Sequence, residues 1–182
     1  MISLVLGGIR SGKSRWAEQQ FVDHIKPKPV YIATALASDQ EMAQRIAHHQ
    51  QTRQSRFDTH EFDFENENLG EVLERYVGQG RHILLECMST WLGWWLCRSA
   101  SPEQQVIDIQ QQSTVLLECL ERLDGEIVIV SNEVGLGLVS DNAMARLFAD
   151  ELGRLNQALA AKADKVVFIS AGLPLILKEP QS

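Results

Sequence analysis

Ile2-Ser3-Leu4-Val5-Leu6 runs directly into Gly7-Gly8-Ile9-Arg10-Ser11-Gly12-Lys13-Ser14, and this stretch decides the fold. A short apolar run that enters G-x-x-x-x-G-K-[ST] has the composition and spacing of a strand leading into a phosphate-binding loop. Gly7, Gly8 and Gly12 let the backbone curl so that successive N–H groups point at one anion. Lys13 adds a point charge for the β- and γ-phosphates. Ser14 offers a hydroxyl to Mg²⁺, an ion that prefers oxygen ligands. The amphipathic stretch with Trp16, Ala17 and Phe21 predicts a helix beginning near Ser14, whose positive end faces the same phosphates. The whole octapeptide, with Ile9, Arg10 and Ser11, is therefore a nucleotide-binding candidate.

Outward from the loop, short apolar runs alternate with helical patterns. Ile2–Leu6, Val30–Ala33, His82–Glu86, Ile127–Ser131 and Val166–Ser170 are rich in Val, Ile and Leu without alternation, as in strands buried on both faces. Between them lie helical patterns over Lys13–Asp23, Gln40–Thr52, Leu69–Val77, Glu103–Leu123 and Ala143–Ala163. This rhythm predicts an α/β fold of the P-loop NTPase type, a mainly parallel sheet with helices on both faces. Residues 1–182 read as one nucleotide-binding domain. Asp39 and Asp141 stand where helix N-caps are useful, and Gly78-Gln79-Gly80 and Asp124-Gly125 mark turns. The acidic segment Asp58 to Asn68 reads as a surface loop or an edge hairpin, and Lys178 to Ser182 as a frayed tail.

With 45% apolar and 23% charged residues the composition is that of a globular protein. A net charge of −7 argues against a nucleic-acid partner but not against a single nucleotide, whose phosphates the loop neutralises locally. Cys87, Cys97 and Cys119 are odd in number and form no C-x-x-C pair, so reduced thiols are expected, without a disulfide framework or a zinc site. The longest apolar run, Met88 to Cys97, is too short for a membrane span, and no leader is evident; a cytoplasmic protein is expected.

Beyond the loop, a carboxylate at a neighbouring strand end is needed to organise Mg²⁺. Glu86, ending Ile83-Leu84-Leu85, is that candidate beside Ser14, and the bland alternative is an acid that meets solvent. Glu133 is a second candidate, in a segment whose Gly135 and Gly137 suit either a loop over a pocket or a simple turn. His48 and His49 point in different directions on the predicted helix and are a poor metal pair. A neutral imidazole is nevertheless a competent nucleophile near pH 7 and can carry a phosphoryl or nucleotidyl group. Trp91, Trp94 and Trp95 read as core packing or a subunit interface rather than a pocket wall.

Several segments together resemble the bifunctional adenosylcobinamide kinase/adenosylcobinamide-phosphate guanylyltransferase family of cobalamin biosynthesis. They are the P-loop, Tyr31-Ile32-Ala33-Thr34-Ala35, Asp39 to His49, Thr59-His60-Glu61, Leu84-Leu85-Glu86-Cys87, Ser131 to Gly137, Gly153 to Gln157 and Ala171-Gly172-Leu173-Pro174. They run nearly end to end in the family's order. The resemblance implies phosphorylation of adenosylcobinamide with ATP or GTP, then transfer of GMP from GTP to adenosylcobinamide phosphate. It implies His48 as the histidine that carries GMP. It also implies nucleotide contacts at Thr34, Ala35, Leu36, His49, Gln50, Gln51, Thr52, Glu61 and Glu86, and a homo-oligomer, a trimer in some members. The chain departs from the family pattern at Ser140, Ala149 and Glu86, where relatives often carry Pro, Arg and Asp.

From the residues alone two other readings stay open. One is a different small-molecule P-loop kinase with no covalent GMP. The other is a nucleotide-switched binding protein without turnover.

Overall fold

A computed structural model of the chain describes residues 1–21, 26–35, 55–98 and 101–180. Seven strands form one sheet: β1 (Ile2–Gly7), β2 (Val30–Ala33), β3 (Asp58–Glu61), β4 (Ile83–Glu86), β5 (Ile127–Asn132), β6 (Lys165–Ser170) and β7 (Leu173–Lys178), in the order β3-β2-β4-β5-β1-β6-β7. All pairings are parallel except β6 with β7. The helices are α1 (Lys13–Gln19), α2 (Leu69–Gly78), α3 (Met88–Arg98), α4 (Pro102–Arg122) and α5 (Ala143–Lys162). The expected helix Gln40–Thr52, with Asp39, lies outside the described residues, and the expected Lys13–Asp23 helix stops at Gln19, with Gln20 as its C-cap.

The continuous apolar runs are explained by burial on two faces. Leu4, Leu6, Ile127, Ile129, Ile83 and Leu85 face a core closed by Leu73 of α2, Leu92 of α3, Ile109 of α4 and Leu155 of α5. Val5, Val128, Val130, Leu84 and Val167 face the other way, onto Ala17 of α1, Phe21 and Phe57. Each fully buried Leu, Ile or Val contributes roughly 1.5–3 kcal/mol. Trp91 is buried in the first core, and Trp94 and Trp95 pack against it, so the tryptophans serve packing. The three cysteines are free thiols.

The helix starts follow side-chain oxygens. Ser101 accepts from Gln104 N at 3.2 Å, and Pro102 occupies the first turn of α4. Asn142, not Asp141, caps α5 by accepting from Ala145 N at 3.0 Å. The helix begins at Ala143, so Asp141 falls one residue too early; its carbonyl instead accepts from Arg146 Nη1 at 2.8 Å. Asn68 caps α2 by accepting from Gly70 N at 2.9 Å and Glu71 N at 3.3 Å. Asn68→Ala is expected to cost ~1 kcal/mol, which thermal unfolding should read as a fall of roughly 2–4 °C.

Both sheet edges depart from expectation. The Asp58–Asn68 segment is neither loop nor hairpin at its start, because Asp58–Glu61 forms β3, parallel to β2. Leu173–Lys178, where no strand is expected, forms β7, antiparallel to β6 and exposed along its length, and Lys178, the first residue of the expected frayed tail, belongs to it.

Candidate functional site

Every parallel strand delivers its carboxyl end to the same side of the sheet, where ligands of open α/β sheets bind. β1 ends at Gly7, in register with Asn132 of β5 on one side and Ile169 of β6 on the other. A Cβ on Gly7 would stand 2.6 Å from the Ile169 carbonyl oxygen and 2.6 Å from Ser11 Oγ, so glycine is required for close approach. Gly12 is required for a different reason, its φ of +94°. Gly8 has open space around it and a φ that any residue tolerates; Arg10, at φ 57°, makes the loop's other left-handed turn. Gly8 O accepts from Ser11 N at 3.2 Å, and Trp16 N donates to Gly12 O at 3.0 Å to start α1. On the far side, Gly172 N donates to Ser11 O at 2.8 Å, which fastens the loop to the β6–β7 turn.

Lys13 folds back over this loop, its Nζ 3.2 Å from Gly8 O. It is buried, and loss of hydration holds its pKa below the ordinary lysine value, against the opposing pull of Cys87 and Glu86. Ser11 Oγ is buried with no hydrogen-bond partner in the described structure. The loop therefore presents a partly desolvated cation and an unsatisfied hydroxyl, both suited to an anion.

Glu86, at the end of β4, meets the loop across β5. Its Oε1 accepts from Ser14 Oγ, and its Oε2 accepts from Tyr31 OH at 3.2 Å. The hydroxyl and the carboxylate are both hard oxygen donors, and they fit Mg²⁺. Tyr31, which no motif reading assigned, orients the acid from β2.

A chain of polar side chains backs the loop. Ser131 Oγ donates to Asn156 Oδ1 at 2.7 Å, Asn156 Nδ2 donates to Asn132 O at 3.0 Å, and Asn132 Nδ2 donates to Ser89 Oγ at 2.7 Å. Asn132 Oδ1 is buried without a described partner. Thr34, 1% exposed, donates from Oγ1 to Cys87 O at 2.7 Å and accepts from Cys87 N at 2.8 Å, so its side chain fixes the turn after β4.

The structure thus brings together Gly7 to Ser14 and Glu86, with Thr34 one residue past the end of β2 and Ala35 next to it. Glu61 ends β3, in register with Ala33, which is in register with Glu86 on its other side. Leu36, His48, His49, Gln50, Gln51 and Thr52 lie outside the described residues. Glu133 closes its own turn, its Oε1 accepting from Gly135 N at 2.6 Å. The Gly135 and Gly137 segment, together with α5, lines a separate cavity of about 500 Å³. Asn132 and Tyr31 escaped the sequence reading because strand register, not sequence spacing, brings them to the loop.

A phosphate loop on the first strand of a parallel sheet, its serine held by a carboxylate from the next strand but one, defines a P-loop nucleotide-binding protein. A model of the family "Cobinamide kinase / cobinamide phosphate guanyltransferase" matches residues 3–177. The chain belongs to that family. It is similar to the bifunctional adenosylcobalamin biosynthesis protein CobP of Pseudomonas aeruginosa, with 41% identity over 98% of each chain. It is also similar to its counterpart CobU of Salmonella typhimurium, with 38% identity over 98% of this chain and all of the relative. Among solved structures it is similar to the flagellar accessory protein FlaH of Methanocaldococcus jannaschii, with 13% identity, a TM-score of 0.48, and 98% of this chain and 78% of that one covered. Among the described residues no helix is long and apolar enough to cross a membrane.

Proposed function

We propose that this chain phosphorylates adenosylcobinamide with ATP or GTP and then transfers GMP from GTP onto the resulting phosphate, through a histidine that carries the nucleotide covalently. Family membership over residues 3–177 supports the pair of activities. The observation that carries the chemistry is the Ser14–Glu86 contact beside the Lys13 ammonium, a phosphate cradle with a hard-oxygen pair at its mouth.

In both steps Lys13 and the loop N–H groups hold the phosphate oxygens and spread the charge that develops on them. Ser14 and Glu86 would hold Mg²⁺, which when bound supplies further neutralisation of that charge. Tyr31 keeps Glu86 in place. In guanylyl transfer the imidazole of His48 bonds to the α-phosphorus while the bond from that phosphorus to the pyrophosphate oxygen breaks. The substrate phosphate oxygen then displaces the imidazole. A homo-oligomer belongs to the same reading, supported by apolar side chains left uncovered along β7, with Leu173 71% exposed.

Incubation with GTP and Mg²⁺ followed by intact-mass measurement tests the reading. The expected result is a gain of one GMP that acid removes and that His48→Ala abolishes. An unmodified wild-type mass sinks the covalent route, and a labelled His48→Ala protein reassigns the carrier.

A further inference from the structure

The cavity of about 500 Å³ beyond the end of β5 has a lining that includes Val134, Leu138, Val139, Ser140, Arg146 and Phe148. Its wall is tied to the phosphate loop through the backbone. Asn132, the last residue of β5, is in register with Gly7, and Glu133 N donates to Gly7 O at 3.1 Å. α5 ends at Lys162 and β6 begins at Lys165, so the first turn of α5 also lies at the carboxyl end of the sheet. α5 packs on the first core and α1 on the second, which puts the cavity on the face opposite the helix that follows the phosphate loop. Its volume falls within the ~300–1,000 Å³ of small-molecule pockets.

The segment that walls the cavity turns apolar side chains to water. Leu138 is fully exposed, Val139 is 86% exposed and Leu136 79%, and Met144 in the first turn of α5 is exposed too. Hydrogen bonds hold this wall in shape. Glu133 Oε1 accepts from Gly135 N at 2.6 Å, Ser140 Oγ accepts from Asn142 N at 3.2 Å, and Arg146 Nη1 donates to Ser140 O at 2.9 Å. A fixed, uncovered apolar surface of this kind marks a binding site. Ser140, Arg146 and Asp150 add polar groups to the lining. A nucleotide, polar along its whole length, is a poor match for it. The other substrate class, cobinamide, is a flat macrocycle edged with methyl groups and amide-bearing arms, one of which ends in the hydroxyl that is phosphorylated. The apolar side chains of β7 lie at the sheet's edge, whereas β5 is its central strand, so the two surfaces are distinct.

We propose that this cavity seats the methyl-edged rim of the corrin macrocycle, with Leu138 and Val139 as its main apolar contacts. The proposal rests on the bifunctional reading above. A volume of about 500 Å³ takes one edge of such a ring and leaves the rest in water. Ser140 and Asp150 offer an acceptor and a donor–acceptor for the amide arms, whose N–H and C=O groups need partners once desolvated. With the rim against α5, the hydroxyl-bearing arm runs past the end of β5 toward the phosphate loop, where Lys13 and the Ser14–Glu86 pair hold the donor. Both transfers modify the end of that one arm, first its hydroxyl oxygen and then an oxygen of the phosphate it has gained. One ring seat therefore serves both steps.

Equilibrium dialysis of dicyanocobinamide, followed by its own visible absorption, tests the proposal with Mg²⁺ and guanylyl imidodiphosphate present. The proteins are wild type, Leu138→Asp, Leu138→Met and Ala145→Trp, the last of which fills the cavity from an exposed position on α5. Loss of one well-buried apolar contact predicts roughly tenfold or greater weakening of corrinoid binding in Leu138→Asp and Ala145→Trp. Leu138→Met should bind it within about twofold of wild type, and the nucleotide analogue should bind all four proteins within about twofold, as for sites that share no partners. Unchanged corrinoid affinity in both Leu138→Asp and Ala145→Trp overturns the proposal. So does a loss of both ligands with a change in sedimentation, which would make the segment a contact between copies of the chain. A measurement without substitution stands beside this one: amide hydrogen exchange of wild type with and without dicyanocobinamide. Slowed exchange within residues 134–148 supports the seat, and slowing confined to other segments overturns it. A wild type that binds the nucleotide analogue but no corrinoid counts against the bifunctional reading itself, whereas one that binds both while the variants do likewise sinks the seat alone.

Discussion

Lys13→Met is expected to depress both phosphoryl and guanylyl transfer by roughly 10²–10³-fold, the loss typical when one preorganised charge or donor is removed from a developing oxyanion. The same substitution should raise the melting temperature of the nucleotide-free protein. Lys13 is buried, its described hydrogen bond is to one carbonyl of its own loop, and loss of hydration lowers its pKa against the pull of Cys87 and Glu86. Replacing a buried charge by an apolar side chain of similar length removes the cost of holding that charge away from water. The sign with pH follows from linkage. The folded chain gives up this proton at lower pH than the unfolded chain, whose lysine titrates near 10.5. The associated stability is fully present above that value and is lost as pH falls through the depressed folded value. Lys13→Met should remove this alkaline gain, which thermal unfolding from neutral to high pH would show. Undiminished turnover, or a nucleotide-free Met variant that melts below wild type, would refute the account.

Gly7→Ala carries the second large effect, and it falls on architecture as much as on chemistry. The added methyl would stand 2.6 Å from Ile169 O, a backbone atom of the adjacent strand, and 2.6 Å from Ser11 Oγ. A hydroxyl can rotate away, but a ladder carbonyl cannot move without parting β1 from β6. Overpacking of this kind costs ~1–3 kcal/mol, or a fall of roughly 2–12 °C in melting temperature for a chain of this size. Nucleotide affinity should fall with it, because the loop hangs from that strand end. Gly8→Ala is the control, since its Cβ would enter open space; its melting temperature should match wild type. Equal melting of the Gly7 and Gly8 variants would show that the close approach is not a constraint.

The sheet was legible where burial dictated the residues. β1, β2, β4, β5 and β6 show as apolar runs because both their faces are covered. β3 is Asp-Thr-His-Glu, pairs on one side only and has no buried residue, so nothing in its composition announces a strand. β7 was hidden by its turn. Ala171 and Gly172 both have positive φ, as a two-residue hairpin requires, yet alanine there gives a far weaker signal than asparagine or aspartate. Of the site, Lys13, Ser14 and Glu86 were readable because loop spacing and a strand-end acid are local patterns. Tyr31 and Asn132 act across strands, and only register brings them to the loop.

The position of β1 sets an order of events during synthesis. The strand is translated before the other six, yet its two neighbours comprise residues 127–132 and 165–170. The clasp on the phosphate loop comes from Gly172, which follows both of those strands. At ~5–20 residues per second, roughly 10–30 s pass between translation of Gly7 and arrival of the segments that shape its loop. Throughout that interval the nascent chain carries the octapeptide but not the site. A loop translated ahead of every strand that positions it is among the last parts of the sheet to acquire its form.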